Sequence, residues 1–291
     1  MSIELKLEQL GKEKKEIPFD VICSGSLHYG YFDGMRLDVG SIGQDGFILF
    51  HPEHIARGIS VEWTEGEKDL IIMRLQAPSC KEEIDDFFET ALRIHSFMNN
   101  CRIEMNGTRL SLYEFEAQRE IIKKYNLRVL NEVGADDDAE PVLLFCAFWP
   151  LFWGLEEKKV FGLAKDLSVL RDYMHEKQSI EAYYAKPLFY EDEKGIIGIY
   201  AFTENTKSIF PNRPFVPFGI KDPATGQAPI ISRWYVHFMS TTDNRSLGQI
   251  AYDDFIDKID KKSYYDAGNS IIEPSSKEEM QSLIERFGVT I

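Results

Sequence analysis

Apolar residues recur along this chain at two periods, and the longer period predicts helices. Over 80–98 the apolar positions return every 3.6 residues, which predicts a helix with one buried face. Ser79 and Glu82, behind Pro78, form the S-x-x-E capping box that starts such a helix. The predicted inward residues are Ile84, Phe87, Phe88, Ala91, Leu92 and Met98.

Two further capping boxes mark helix starts. Ser111 with Glu114 predicts a helix over about 112–130, and Ser275 with Glu278 predicts the last helix of the chain. The strings PSCKEEI and PSSKEEM around the first and last boxes are near copies. Duplication explains them, and so does independent selection of the same good cap, which we favour.

Shorter apolar runs bounded by turn residues predict strands. Residues 20–50 place glycines between short apolar pieces, which is typical of short strands joined by tight turns. Asn106-Gly107 predicts a hairpin. Further strands are predicted at 69–76, 142–149, 182–190, 196–203, near 229–240 and before the last helix. A helix near 155–177 is predicted to turn inward Val160, Phe161, Ala164, Leu167, Leu170 and Met174.

This order of elements predicts the α+β fold class, with mostly antiparallel sheets and helices packed on one face. Strands joined by hairpins argue against a doubly wound parallel sheet. Both halves show a similar strand-helix-strand-strand order, with the acidic run GADDDAE between them. We therefore expect an N-terminal α+β lobe at 1–135, with a turn-rich β segment at 1–57, and a C-terminal α+β lobe at 141–291.

The composition is that of an acidic folded protein. The 291 residues include 33 Lys and Arg and 48 Asp and Glu, for a net charge of −15. Because phosphate backbones and anionic lipids need clustered cations, we expect no nucleic-acid partner and no membrane partner. A basic protein partner fits the charge, and no feature of the sequence indicates an oligomeric state.

The apolar segments and the cysteines predict a cytoplasmic protein. The longest apolar run, PVLLFCAFWPLFWGL at 141–155, is shorter than the roughly 20 residues of a membrane helix and contains Pro150. The N-terminus lacks the continuous apolar segment of a signal peptide. Four cysteines without a C-x-x-C pair do not make a disulfide framework.

The segment SIFPNRPFVPFG at 208–219 has three prolines at three-residue spacing, which favours polyproline II. We interpret it as a rigid connector, anchored on the sheet by Phe215 and Phe218, that blocks pairing at a sheet edge. The alternatives are the wall of a ligand cleft and a linear recognition motif. The candidate binding residues are Tyr183, Tyr184, Lys186, Phe210, Arg213, Phe215 and Phe218.

Three motifs could suggest catalysis or metal binding, but a structural role explains each of them better. In HPEH, residues 51–54, the histidines are three apart and Pro52 follows the first, so a surface loop is expected rather than a zinc helix. His175 lies at a predicted helix end, where it suits the carbonyl dipoles. Asp253 and Asp254 suit the first turn of a helix. We therefore predict no catalytic residue, no metal ligand and no cofactor.

Six short motifs resemble a known family. They are EWTEGEK (62–68), IEAYYAKP (180–187), SIFP (208–211), VPFG (216–219), YDDFI (252–256) and YYDA (264–267). They resemble a family of uncharacterised proteins from Gram-positive bacteria, classed as a domain of unknown function, over roughly 60–290. The resemblance implies a bacterial cytoplasmic protein and supplies no activity, cofactor or catalytic residue.

Three hypotheses for function follow, of which the third is a purely structural role. The first is a non-enzymatic interaction protein, of the immunity or regulatory type, that neutralises a basic partner. The second is a small-molecule-binding protein or enzyme with a cleft walled by 183–186 and 208–219. A deep pocket with convergent polar groups and perturbed titratable side chains favours the second, whereas a flat acidic or aromatic patch favours the first.

Overall fold

The computed structural model describes residues 2–136, 140–222 and 225–289. These residues form helices and mostly antiparallel sheets, so the predicted α+β class is confirmed. None of the helices within these ranges combines the length and the apolarity that a membrane crossing requires.

The chain divides into two compact units whose sequences interleave. Unit 1 comprises the residues up to 150 and the segment 155–180, and unit 2 comprises the segment 151–154 and the residues from 181 onward. The boundary that was expected from the sequence, at 134–141, falls inside unit 1. Within unit 1 the backbones of Gly134 and Gly162 approach so closely that neither residue has room for a Cβ, which holds both sides of that boundary together.

Unit 1 contains a sheet of eight strands among the described residues, and every neighbouring pair in it is antiparallel. The strands are β1 (Ser2–Gln9), β2 (His28–Phe32), β3 (Leu37–Val39), β4 (Phe47–Phe50), β5 (Ile59–Glu62), β6 (Leu70–Gln76), β7 (Cys101–Met105) and β8 (Thr108–Leu110). Their spatial order is β3-β2-β4-β5-β6-β1-β7-β8. A further short strand of unit 1 is β9 (Val142–Leu144). The predicted hairpin at Asn106-Gly107 is confirmed, since it joins β7 and β8 with both residues at positive φ.

The described part of unit 1 has five helices. They are α1 (Phe19–Ile22), α2 (Lys81–Met98), α3 (Leu112–Gly134), α4 (Leu155–Gly162) and α5 (Ser168–Gln178). The predicted capping box of Ser111 and Glu114 at the start of α3 is confirmed. The capping box predicted for Ser79 and Glu82 at the start of α2 is wrong. The N–H of Ser79 donates to Asn126 Oδ1 at 2.7 Å, and the Ser79 hydroxyl donates to the Gln76 carbonyl, so neither group pairs with Glu82.

The single helix predicted over 155–177 is wrong. The chain leaves the helical conformation after Gly162, and α5 starts where Asp166 Oδ1 accepts the N–H of Ser168 at 2.8 Å. Val160, which was expected inside, is 56% exposed because it lies on the outer side of the shorter helix α4.

Alternation along the central strands gives the sheet of unit 1 one apolar face and one charged face. On β1, Leu5 and Leu7 are buried, and the charged residues that alternate with them point to the other face. There Glu4 pairs with Arg74 of β6, which also pairs with Glu62 of β5. Helix α2 packs on β1 and β6, and α3 packs on β7 and β8. Burial of the apolar face under these helices therefore fixes the position of α2.

Unit 2 contains two four-stranded sheets and two helices in the described residues. The elements are β10 (Leu151–Trp153), β11 (Tyr183–Tyr184), β12 (Pro187–Asp192), β13 (Gly195–Thr203), β14 (Ser208–Pro211), β15 (Ile231–Ser240), β16 (Arg245–Ala251), α6 (Tyr252–Lys258), β17 (Lys262–Tyr264), β18 (Asn269–Ile272) and α7 (Lys277–Phe287). The sheet orders are β12-β13-β15-β16 and β11-β14-β18-β17. The pairs β13–β15 and β11–β14 are parallel, and the other neighbours are antiparallel.

Aromatic rings from both sheets form the core of unit 2. The ring centroid of Phe210 on β14 lies 6.0 Å from that of Tyr200 and 5.9 Å from that of Phe202, both on β13. Phe255 of α6 lies 5.2 Å from Phe210 and 5.7 Å from Phe238. The start of the proline segment is therefore an interior strand rather than an edge connector.

A buried carboxylate ties the segment 151–154 into unit 2. Asp266 accepts the N–H groups of Gly268 and Asn269 at 2.9 and 2.7 Å, and that of Phe152 at 3.2 Å. The N–H of Ala267 donates to the Phe152 carbonyl at 3.2 Å. Strand β10 therefore belongs to unit 2 although both of its sequence neighbours belong to unit 1.

Two strand predictions need correction. The strand expected over 142–149 shortens to β9, because the backbone after it bonds to side chains: the Phe145 carbonyl accepts from Arg57 Nε at 2.9 Å, and the Phe148 N–H donates to Gln178 at 2.9 Å. Strand β16 was not predicted, because its polar residues and Gly248 hide the alternation. The middle of the expected acidic linker, 137–139, lies outside the described residues.

Candidate functional site

A small polar cavity in unit 1 is the candidate functional site, and we call it the α2 cavity. Its volume is about 220 Å³. The lining residues are Ser24, Gly25, Ser26, Leu27, His51, Asp86, Glu89, Thr90 and Arg93. At roughly 30 Å³ for each water in the liquid, the cavity has room for about seven water molecules.

Three sequence segments meet at the α2 cavity. Residues 24–27 follow α1, and Gly25 there has a φ of 71°, which favours glycine. His51 follows β4, one of the strands of the sheet. Helix α2 contributes residues at i, i+3, i+4 and i+7, which lie on one side of a helix. The packing of α2 against the sheet thus brings its polar side to the loop after α1.

Arg93 joins helix α2 to helix α1 at this side of the cavity. Its Nε donates to the carbonyl of Val21 at 2.6 Å, and its Nη2 donates to the carbonyl of Ile22 at 2.9 Å and to Thr90 Oγ1 at 3.2 Å. These carbonyls close α1 and have no partner within so short a helix. Partial burial lowers the pKa of the Arg93 guanidinium, which stays charged at neutral pH.

Two histidines stack beside the cavity. The ring centroids of His51 and His54 are 4.0 Å apart, and the planes differ by 11°. His51 Nδ1 accepts the backbone N–H of Glu53 at 3.1 Å, so the neutral ring carries its proton on Nε2. Burial, followed by repulsion from His54, lowers the pKa of His51. His51 is therefore a neutral hydrogen-bond donor at pH 7.

Asp86 is a carboxyl group of the cavity lining. It makes no hydrogen bond and no ion pair with any residue that the structure describes. Burial, followed by repulsion from Glu89 and Asp85, raises the pKa of its carboxyl to about 6, although attraction to His54 opposes the shift. A carboxyl with this pKa changes its charge close to neutral pH.

Burial makes the thiol next to the α2 cavity a poor nucleophile. Cys23 is next to the loop, and its Sγ contacts the Leu27 carbonyl at 3.4 Å. Burial raises the pKa of this thiol, so the nucleophilic thiolate is scarce at pH 7. In the described part of the chain, no group of three or more His, Cys, Asp or Glu residues has the geometry to hold a metal ion.

The candidate binding residues predicted from the sequence lie in unit 2. Strand β11 pairs with β14, so Tyr183 lies opposite Ser208 and the 183–186 segment runs beside SIFP. Tyr184 and Phe210 are buried in the core, and Tyr183 and Lys186 are half-buried. The structure thus brings these two segments together, with Tyr184 and Phe210 turned away from solvent.

The remaining predicted residues lie in the loop after β14. Arg213 is exposed. Phe215 is half-buried: its ring centroid lies 6.3 Å from that of Phe152, and its N–H donates to the Tyr200 hydroxyl at 3.4 Å. Phe218 is 75% exposed, so the expectation that it anchors the segment on the sheet is wrong.

Sequence reasoning missed the α2 cavity. The signal was the spacing of Asp86, Thr90 and Arg93 on the polar side of a helix whose other side is apolar. The prediction that HPEH forms a loop rather than a helix is confirmed, because the structure places it in a turn, but the position of His51 at the cavity was not predicted. His175 does lie in the last turn of α5, and Asp253 and Asp254 lie in the first turn of α6, as predicted.

Comparison with known proteins gives one match. A family model described as "Domain of unknown function (DUF4299)" matches residues 2–283. No curated protein and no solved structure matches the chain significantly.

Proposed function

The chain belongs to this family of unknown function, and from the geometry of the α2 cavity we propose that it binds a small polar molecule there. The observation that carries the proposal is the convergence of the Asp86 carboxylate, the Arg93 guanidinium, the His51 imidazole and several hydroxyls on one cavity. Binding sites typically combine a concave surface with a few polar groups and a perturbed titratable side chain.

The size of the cavity limits the ligand. Pockets for drug-sized molecules run from roughly 300 to 1,000 Å³, and the α2 cavity is smaller than that range. We therefore expect a compact metabolite rather than a nucleotide or a peptide.

A binding screen tests the proposal. The full chain is titrated with a panel of small amines, carboxylates, sugars and amino acids, and the backbone amide resonances of Ser24, Leu27 and Thr90 are followed by NMR. We expect at least one compound to give saturable shifts at these residues.

The control is a pair of matched variants. Ser26→Phe places a ring at the exposed mouth of the cavity and should abolish the shifts, whereas Ser263→Phe, at an exposed position on β17 of unit 2, should leave them unchanged. If no compound shifts these resonances, or if Ser26→Phe binds as well as the wild type, the proposal fails.

The interaction hypothesis remains a second candidate because of the net charge of −15. A basic protein that neutralises this charge is the partner it proposes, in the manner of an immunity or regulatory protein. Affinity capture with the chain as bait tests it, and only a basic protein recovered in stoichiometric amount would support it.

We also propose a cytoplasmic location and a bacterial origin. The support for a reducing compartment is that all four cysteines, which lie at positions 23, 80, 101 and 146, are free thiols. The support for a bacterial origin is the resemblance of the six motifs.

A further inference from the structure

Asp86 differs from every other acidic residue of α2. The other four carboxylates each have a partner: Glu82 with Arg171 at 3.0 Å, Glu83 with the N–H of Gly58, Asp85 with Lys123 at 2.7 Å, and Glu89 with Arg119 at 3.8 Å. Asp86 has none among the described residues, and it lines the α2 cavity. A partly buried carboxylate without a counter-charge is costly, which marks the place where a ligand can supply that charge.

The guanidinium of Arg93 directs most of its hydrogen bonds at other parts of the protein rather than at the cavity. Arg93 uses Nε and Nη2 to hold the carbonyls at the end of α1, which leaves Nη1 as its one nitrogen without a bond to a described residue. His51 is neutral at pH 7 because burial lowers its pKa. The charged groups that a ligand meets in this cavity are therefore the two carboxyl groups of Asp86 and Glu89 against the one guanidinium of Arg93, so acidic groups are in excess.

The remaining lining is mostly polar, with one apolar side chain. Leu27 contributes apolar surface, and Ser24 and Ser26 contribute hydroxyls that accept hydrogen bonds from an ammonium group. A primary ammonium has three N–H donors, which matches one carboxylate and the two hydroxyls of the same lining better than a neutral alcohol or an anion does.

We infer that the ligand class of the α2 cavity is a small organic cation, whose protonated amine pairs with the carboxylate of Asp86. This inference rests on the proposed function. It names the chemical class of the molecule, which the proposed function leaves open.

The pH dependence of binding follows from Asp86. The pKa of its carboxyl is about 6 in the free protein, and a bound ammonium favours the ionised form. Glu82, Asp85 and Glu89 of α2 and His54 of the neighbouring turn also act on this carboxyl. The apparent affinity for a cation should therefore be about half its maximum at pH 6 and about tenfold lower at pH 5 than at pH 7.

The test uses three four-carbon probes of matched size: n-butylammonium, butyrate and n-butanol. Each is titrated into the full chain at pH 7 and followed at the amides of Ser24, Leu27 and Thr90. We expect n-butylammonium to bind at least tenfold more tightly than the other two, and the preference to shrink at pH 5.

Two variants make the test specific. Asp86→Asn keeps the shape of the side chain and should weaken n-butylammonium binding at least tenfold, whereas Asp253→Asn, which removes one exposed charge from unit 2, should change it less than twofold. An unchanged amide spectrum for Asp86→Asn outside the cavity confirms that it folds.

The outcomes separate the two proposals. Tighter binding of butyrate or butanol in the cavity, or equal binding of n-butylammonium by Asp86→Asn, overturns the cation inference and leaves the proposed function standing. Failure of these probes and of every compound in the wider panel overturns both.

Discussion

Two carboxylates three residues apart on α2 have opposite roles. Glu83 is 7% exposed and holds the N–H of Gly58, so it joins the helix to the start of β5. Burial raises its pKa, yet the bond to the backbone opposes that effect. Asp86 is less buried and has no such bond. Glu83 therefore has a structural role because it has a hydrogen-bond partner, whereas Asp86, which has none among the described residues, is left for binding a ligand.

Asp86→Asn should stabilise the free protein at pH 7. Because the pKa of Asp86 is higher folded, at about 6, than the 3.8 of an ordinary Asp, the native state holds an extra proton between those values. The contribution of Asp86 to stability therefore falls as pH rises through this window. After allowance for solvent screening we expect a gain on the order of 1 kcal/mol at pH 7.

The gain should vanish near pH 4, where the wild-type carboxyl is largely protonated. Urea unfolding of both proteins at pH 7 and pH 4 measures it. A loss of stability at pH 7 would mean that Asp86 has a stabilising partner and would contradict its placement.

Helix starts were predictable to within one residue where local chemistry decides them. At Ser111 the box is local, and the prediction is confirmed. At the last helix the two serines in PSSKEEM are equivalent by pattern, and the structure uses Ser276 with Glu279, because Ser275 is buried and its carbonyl accepts the N–H of Asn205 at 2.9 Å. Tertiary contacts, which the sequence does not display, make that choice.

Ser276→Ala should destabilise unit 2 by about 1 kcal/mol, as loss of an N-cap hydroxyl typically does. Its hydroxyl accepts the Glu279 N–H at 3.3 Å, and Glu279 accepts the Ser276 N–H at 2.8 Å. The control is Ser282→Ala, at an exposed position inside α7, which should change stability by less than about 0.5 kcal/mol. Equal effects of the two changes in thermal melts would argue against the box.

The candidate site could not be predicted for a physical reason. The polar spacing on α2 is visible in the sequence, but an exposed helix face looks the same whether it meets solvent or a cavity. What makes the cavity is the loop 24–27, and its position depends on the bonds from Arg93 to α1. Fold class followed from short-range patterns, whereas the site depends on contacts between residues about 70 positions apart.

The two units do not coincide with the two halves of the sequence. The acidic run at 134–140 suggests a boundary, yet α4 and α5, which follow it, belong with unit 1. Contacts across the run, such as Arg171 of α5 with Glu82 of α2 at 3.0 Å, bind the two sides together. The acidic run therefore falls within unit 1 of this division, and the boundary expected there from the composition stays a prediction.

Limited proteolysis should cut first within residues 134–140, because the acidic, small-residue composition of that run is typical of cleavable loops. We expect the two fragments to stay together on gel filtration without denaturant, since unit 1 draws on both. Fragments that separate under native conditions would restore the boundary expected from the sequence and would contradict the division described for the folded chain.

Because residues 151–154 belong to unit 2 but lie between two segments of unit 1, the units cannot be separated cleanly by gene recombination. A recombination event that transferred residues from 181 onward to another gene would leave β10 behind, and Asp266 would lose the N–H of Phe152 that helps to hold its carboxylate in the interior. An event that transferred only the first 150 residues would omit α4 and α5 from unit 1. No single breakpoint gives each of the two units all of its residues, so selection should keep the two units together in one gene.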